Sequence, residues 1–155
     1  MDTINAKELI TKFLNGRPWL MKRNVKIINE ENGVISSLID GALAKFGACA
    51  TVHSWTTEAK SDASRTAVCE SKLVVNIFEM PLKNRSQAMY GTAEAIALYI
   101  AGRLNLQPLK QNDKDPSEEE LLLAKPQIRE GPAWEGLETK TLVMTAQTTI
   151  PSQDD

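Results

Sequence analysis

Apolar and polar residues alternate along this chain with two different periods, and the switch between them marks out helices and strands. Over residues 30–46, Val34, Ile35, Leu38, Ile39, Ala42, Leu43 and Phe46 recur at three- and four-residue spacing. That spacing gathers them on one side of a helix, and Gly47 supplies its stop. A shorter helix is predicted over residues 5–14, with Leu9, Ile10 and Phe13 as its stripe and Asn15-Gly16 at its end. The following RPWLMKR reads as a connector with an ordered turn at Pro18 and a tucked-down Trp19. Residues 25–28 read either as a short strand or as the lead into the next helix.

The pattern then becomes extended. Residues 48–59 are rich in Thr, Val and Trp and predict a strand. KSDASR, at 60–65, reads as a hairpin loop, and a second strand runs over 66–80. Only Asn76 is polar between Leu73 and Phe78, which predicts a central strand buried on both faces. A helix over 86–106 follows, with Met89, Ala93, Ile96, Ala97, Ile100 and Leu104 on one stripe. Gly91 and Gly102 within it read as positions of close helix packing.

Residues 107–120 turn polar and predict a flexible segment. Inside it Asp115, Pro116 and Glu118 have the spacing of a cap, a first helical residue and a capping-box partner, so LLLAK is expected to be a short helix. PQIREGPAWEG reads as irregular or as a short strand. In LETKTLVMTAQTTI, Leu142, Met144, Ala146 and Ile150 alternate with Thr141, Thr145, Gln147 and Thr149, which predicts a final strand. This order implies an α+β domain over 1–150, a mainly antiparallel sheet with helices packed on one face, and a frayed tail at 151–155.

Charge changes the picture little. The chain carries 18 Lys and Arg against 20 Asp and Glu, a net charge of −2, too balanced to predict a nucleic-acid-binding domain. An acid-free stretch holds Lys12, Arg17, Lys22, Arg23 and Lys26; it reads as a solvated face in preference to a phosphate-binding patch. No apolar run reaches the roughly 18 residues of a membrane span. The acid-bearing MDTINAKELITKFL lacks the apolar core of a signal peptide. Cys49 and Cys69 lie on neighbouring predicted strands that could bring them together; without a secretory signal they are expected to be reduced, half-buried thiols of an intracellular protein.

No constellation for chemistry emerges. His53 is the only histidine, without a second ligand at metal-binding spacing, and reads as structural. Ser54 and Ser86 lack the elbow of a nucleophilic serine. Gly91 and Gly102 do not form a phosphate loop, and Glu118, Glu119 and Glu120 fan around one turn as a solvated run. No catalytic residue, metal or cofactor is expected. Two segments suggest contact with a partner. Trp134, between Gly and Pro breakers, is either a plug over the core edge or an exposed anchor. In EMPLKNR, Glu79 ends a strand, Pro81 turns the chain, and Lys83, Asn84 and Arg85 precede a helix that Asn84 or Ser86 would cap. The cations are either solvated or touch a neighbouring subunit.

At this elbow the chain resembles the tail terminators and related tail-completion proteins of tailed bacteriophages. The resemblance lies in VVNIFEMPLKNR, GTAEAIALYIAGRL and GLETKTLVMTAQTTI, over about residues 48–150. The helix at 30–46 and the acidic 107–120 segment depart from the family pattern. The resemblance implies a non-enzymatic structural protein that forms a ring-like homo-oligomer, a hexamer in that family. The ring caps the tail tube and meets the head. Its partners would be itself, the tail tube protein and the head-completion protein, with no membrane and no specific nucleic acid. Its place would be the host cytoplasm and the virion. Lys83, Asn84, Arg85 and Trp134 are the candidate contact residues, and the Thr-rich final strand is expected to offer a free edge for assembly. Two other classes remain open. One is a ligand-binding or enzymatic domain with His53, Glu79 or Arg85 turned inward; the other is a module that recognises one protein partner.

Overall fold

The computed structural model describes residues 6–29, 35–61, 67–81, 92–109 and 121–150. In chain order these hold α1 (Ala6–Asn15), α2 (Pro18–Lys22), β1 (Lys26–Asn29), α3 (Ile35–Phe46), β2 (Ala48–Ser61) and β3 (Ala67–Glu79). After them come α4 (Ala93–Leu104), β4 (Leu122–Glu130) and β5 (Glu138–Ile150). The strands form one sheet in the order β1-β2-β3-β5-β4. Only β1 and β2 pair in parallel; the other three pairings are antiparallel. The fold is α+β.

β3 lies in the middle, between β2 and β5. Leu73, Val75 and Ile77 point into the larger core, which receives Ile10 and Leu14 from α1, Leu20 from α2, and Ile96, Ala97, Ile100 and Leu104 from α4. Phe78, one residue on, points to the other face and joins Ile28, Cys49 and the α3 residues Ile39, Ala42 and Leu43. Val74 and Asn76, on that second face, are only half-buried. The central strand is thus buried on both faces at its C-terminal end and on one face before it.

Helices therefore cover both faces of the sheet, not one, and chain direction explains it. The connection from β1 to the parallel β2 passes through α3 and moves one place across the sheet. The connection from β3 to β4 passes through α4 and moves the same way, over β5, but β3 runs opposite to β2. Strand crossovers are right-handed almost without exception. Two right-handed crossovers that step in one direction from oppositely running strands must put their helices on opposite faces. A one-face arrangement would follow only if residues 25–28 did not form a strand parallel to β2.

Several local expectations are corrected. The connector RPWLMKR contains α2, with Pro18 at its first turn. Thr92 has extended backbone (φ −69°, ψ 160°) and its Oγ1 accepts the Ala95 N–H at 3.1 Å. α4 thus starts at Ala93, and neither Asn84 nor Ser86 caps it. Gly102 is not a close-packing position, because a Cβ there would meet nothing within 4 Å. LLLAK is the start of β4, not a helix: Leu121 and Leu123 are buried, Leu122 is exposed, and Leu122 and Leu123 pair with β5. The period-two burial and the ladder it permits outweigh the capping signal ahead of it. Val34, residues 62–65, Ser86, Met89, Gly91, Asp115, Pro116 and Glu118, Glu119 and Glu120 lie outside the described residues.

The two cysteines do not approach each other. Cys49 pairs in register with Phe78, whereas Cys69 pairs with Ala59, ten positions farther along β2 (59 − 49). That offset is roughly 33 Å at about 3.3 Å per residue. Burial pushes the Cys49 thiol up to about 12, so it is protonated and unreactive at neutral pH.

Candidate functional site

β5 is an interior strand, between β3 and β4, so the Thr-rich strand offers no free edge. Its alternation survives only in part: Leu142 and Met144 are fully covered on the larger core, and on the opposite face Thr139 and Val143 are buried while Thr141 and Thr145 are half-buried. The sheet ends at β1 and β4 instead, and both are largely closed. At β1, the Asn15 carboxamide accepts the Ile27 N–H and donates to the Ile27 carbonyl, each at 3.1 Å, in place of a neighbouring strand. At β4, Leu109 and Leu121 exchange backbone hydrogen bonds of 3.0 and 2.8 Å, and the Leu106 N–H reaches the Leu123 carbonyl at 2.7 Å. The ladder with β5 then slips between Ala124 and Gln127, where Lys125 has φ +55° and Pro126 has no N–H to give. These are the devices by which sheets prevent edge-to-edge pairing. No described segment pairs with the outer side of residues 127–130.

Beside that remaining edge stands the loop that carries Trp134. Gly131 is required there, since a Cβ would lie 2.8 Å from the Thr139 side chain. Thr139 Oγ1 donates to the Pro132 carbonyl at 2.6 Å, and the Leu137 N–H to the Trp134 carbonyl at 3.1 Å. The loop is thereby fixed, and Trp134 presents its ring at 89° to Phe78, centroids 5.7 Å apart. It remains 44% exposed. One edge of the ring thus packs on Phe78 of the smaller core, and the rest of the side chain is exposed.

The same end of the sheet holds the start of the elbow. Phe78 pairs with Thr139 and Glu79 with Glu138, so the end of β3 and the Trp134 loop are adjacent. Glu79 is buried, and its Oε1 accepts the Ala93 N–H, the first of α4, at 3.1 Å. A carboxylate at a helix N-terminus satisfies an orphan donor and meets the positive end of the helix dipole. Glu79 thus ties the strand end to the helix start. No sequence pattern indicated this, because cap and helix are 14 residues apart. Lys83, Asn84 and Arg85 lie outside the described residues, so of the four candidate contacts the structure places Trp134 only.

His53 is half-buried on β2, 2.8 Å from Thr51 Oγ1. Among the described residues no three His, Cys, Asp or Glu side chains gather as a metal site. None of the described helices is long and apolar enough to cross a membrane. No protein-family model matches the chain, and no curated protein matches its sequence.

Proposed function

We propose that this chain is a non-enzymatic assembly protein of the phage tail-terminator kind, which joins copies of itself into a ring and closes a tail tube. One observation carries the reading. The loop of Trp134 and the end of β3 that leads into the elbow, two segments far apart in sequence and both candidate contacts, meet at one end of the sheet. The outer side of residues 127–130, with which no described segment pairs, and the half-exposed Ile128 and Trp134 add apolar area and backbone groups beside it. An exposed aromatic held by a rigid loop next to apolar and charged residues is the composition of a partner-binding centre. In this reading the partners are further copies, six in the ring by the family pattern, the tube protein and the head-completion protein, in the host cytoplasm and the virion.

The ligand-binding or enzymatic alternative needs convergent polar groups in a pocket. Glu79 is the inward carboxylate, and it is engaged by the α4 N-terminus.

The test is native mass spectrometry and light scattering of concentrated protein, alone and with a cognate tail tube protein. Rings are expected, and Trp134→Ala and Ile128→Glu are expected to reduce assembly while leaving the melting temperature within a few degrees. A protein that stays monomeric at high concentration and ignores the tube protein would sink the reading.

A further inference from the structure

Three aromatic residues are each followed four positions later by an arginine: Phe13 and Arg17, Trp19 and Arg23, Tyr99 and Arg103. On a helix that spacing brings the two side chains together. The guanidinium carbons lie 4.4 Å from the Phe13 ring centroid, 3.7 Å from Trp19 and 5.4 Å from Tyr99. The fold then joins two of the pairs. Trp19 and Tyr99, from α2 and α4, stack with centroids 4.4 Å apart and planes 12° from parallel. The result is a continuous column of arginine, tryptophan, tyrosine and arginine that crosses from one helix to the other.

The column fixes its cations without neutralising them. Arg23 Nη1 donates to the Trp19 carbonyl and Arg17 Nε to the Phe13 carbonyl, each at 3.1 Å. Arg17, Lys22, Arg23 and Arg103 make no ion pair with any described carboxylate. Arg23 Nε is buried with no acceptor among the described residues. Lys22 and Arg103 sit in the last turns of their helices, where cations complement the dipole. That accounts for one charge at each helix end. It does not account for Arg17, Lys22 and Arg23 at the two ends of α2, joined through the stacked rings to Arg103 of α4, in a chain whose net charge is negative.

We propose that this corner binds the phosphodiester backbone of nucleic acid, without regard to sequence. Arginines held by stacking have little side-chain entropy left to lose, and the terminal N–H groups not spent on carbonyls remain as charged donors to phosphate oxygens. The aromatic faces are already taken up within the column, so base stacking of the single-strand-binding kind has no platform here. The same fact weighs against a protein partner, whose interface centre would be built on accessible aromatic and apolar surface with charge at the rim. What this corner offers is charge and N–H donors. The proposal does not depend on the assembly reading.

The test is fluorescence anisotropy of the full chain with a fluorescein-labelled random duplex, titrated from low to physiological salt. Four cations predict a slope of log K against log salt near −3.6, from about −0.9 per neutralised phosphate. Two duplexes of unrelated sequence should bind alike. Lys22→Gln and Arg103→Gln, both at exposed positions, should each flatten the slope by about one unit, while the melting temperature falls by only the few degrees that a lost helix-end charge costs. A merely structural role would move the melting temperature and leave the slope alone. Absence of binding at low salt, or an unaltered slope in the double variant, would overturn the proposal. Equal competition by poly-glutamate would overturn it as well, and assign the corner to an acidic protein surface.

Discussion

The two faces of the sheet are made by the same strands and are covered in different ways. On one, α1, α2 and α4 lay a continuous apolar layer over Ala50, Val52, Leu73, Val75, Ile77, Leu142 and Met144. On the other, α3 covers only the end that holds Ile28, Cys49 and Phe78. Beyond α3 that face carries Asn76 and Thr141, joined by a hydrogen bond of 2.8 Å across β3 and β5, then the buried Val143 opposite a half-buried Val74, and a half-buried Thr145. The difference shows what a single strand sequence can encode. Alternate residues of β3 satisfy a dry core on one side, and a polar pairing able to face water on the other.

The comparison breaks most sharply at Ile77. It has no exposed surface, and an unpaired carboxylate in its place must stay desolvated or find water by opening the core. Ile77→Asp is expected to cost several kcal/mol, comparable with the roughly 5–15 kcal/mol that holds a small domain together. Urea unfolding followed by circular dichroism should find it largely unfolded. A normal midpoint would show that the α4 side of the sheet is not a single dry core.

A smaller effect tests how dry the α3 end is. Burial favours the neutral Cys49 thiol, raising it from 9.0 to about 12. The unfolded thiol ionises near its ordinary value. The associated stability is therefore complete below about pH 9 and is lost as pH rises toward 12. By about pH 11 the loss should be on the order of 2 kcal/mol. Cys49→Ala, measured beside the parent between about pH 8 and pH 11, should fall less steeply in melting temperature. Parallel curves would mean that water reaches the thiol beneath α3.

The smallest effect belongs to the uncovered part of the second face. Thr141→Val removes the hydrogen bond to Asn76 and leaves a half-buried amide oxygen that water can reach. A loss under about 1 kcal/mol is expected, against the collapse at Ile77 one position from Asn76. A loss of several kcal/mol would show the two faces to be equally closed.

Much of this was legible in the residues. The three-four stripes of α1 and α3, the apolar run of β3 and the alternation of β5 were visible as patterns, because each reflects contact with one neighbouring layer. The start of α4 was misplaced because Thr92 is a better boundary than the apolar stripe suggests, and Glu79 supplies a cap from another element. LLLAK reads as a helix because a capping signal precedes it and three leucines in a row show no period, neither two nor 3.6. Of the candidate contacts, Trp134 was identifiable from its Gly and Pro surroundings, but its seat on Phe78 was not. The aromatic–arginine spacings were present in the sequence as local pairs, with nothing to indicate that two of them would stack on each other.

By itself, then, the sequence determined the periodic elements, the α+β class and the residues that must leave water, since these depend on short-range spacing and on hydrophobicity. Only the tertiary structure decided which strands are edges, which face α3 covers and where the charges gather. Those outcomes depend on strand direction and on the handedness of two crossovers, properties that no local stretch of residues contains. A parallel pairing of four residues at β1 is enough to send α3 to the opposite face from α4.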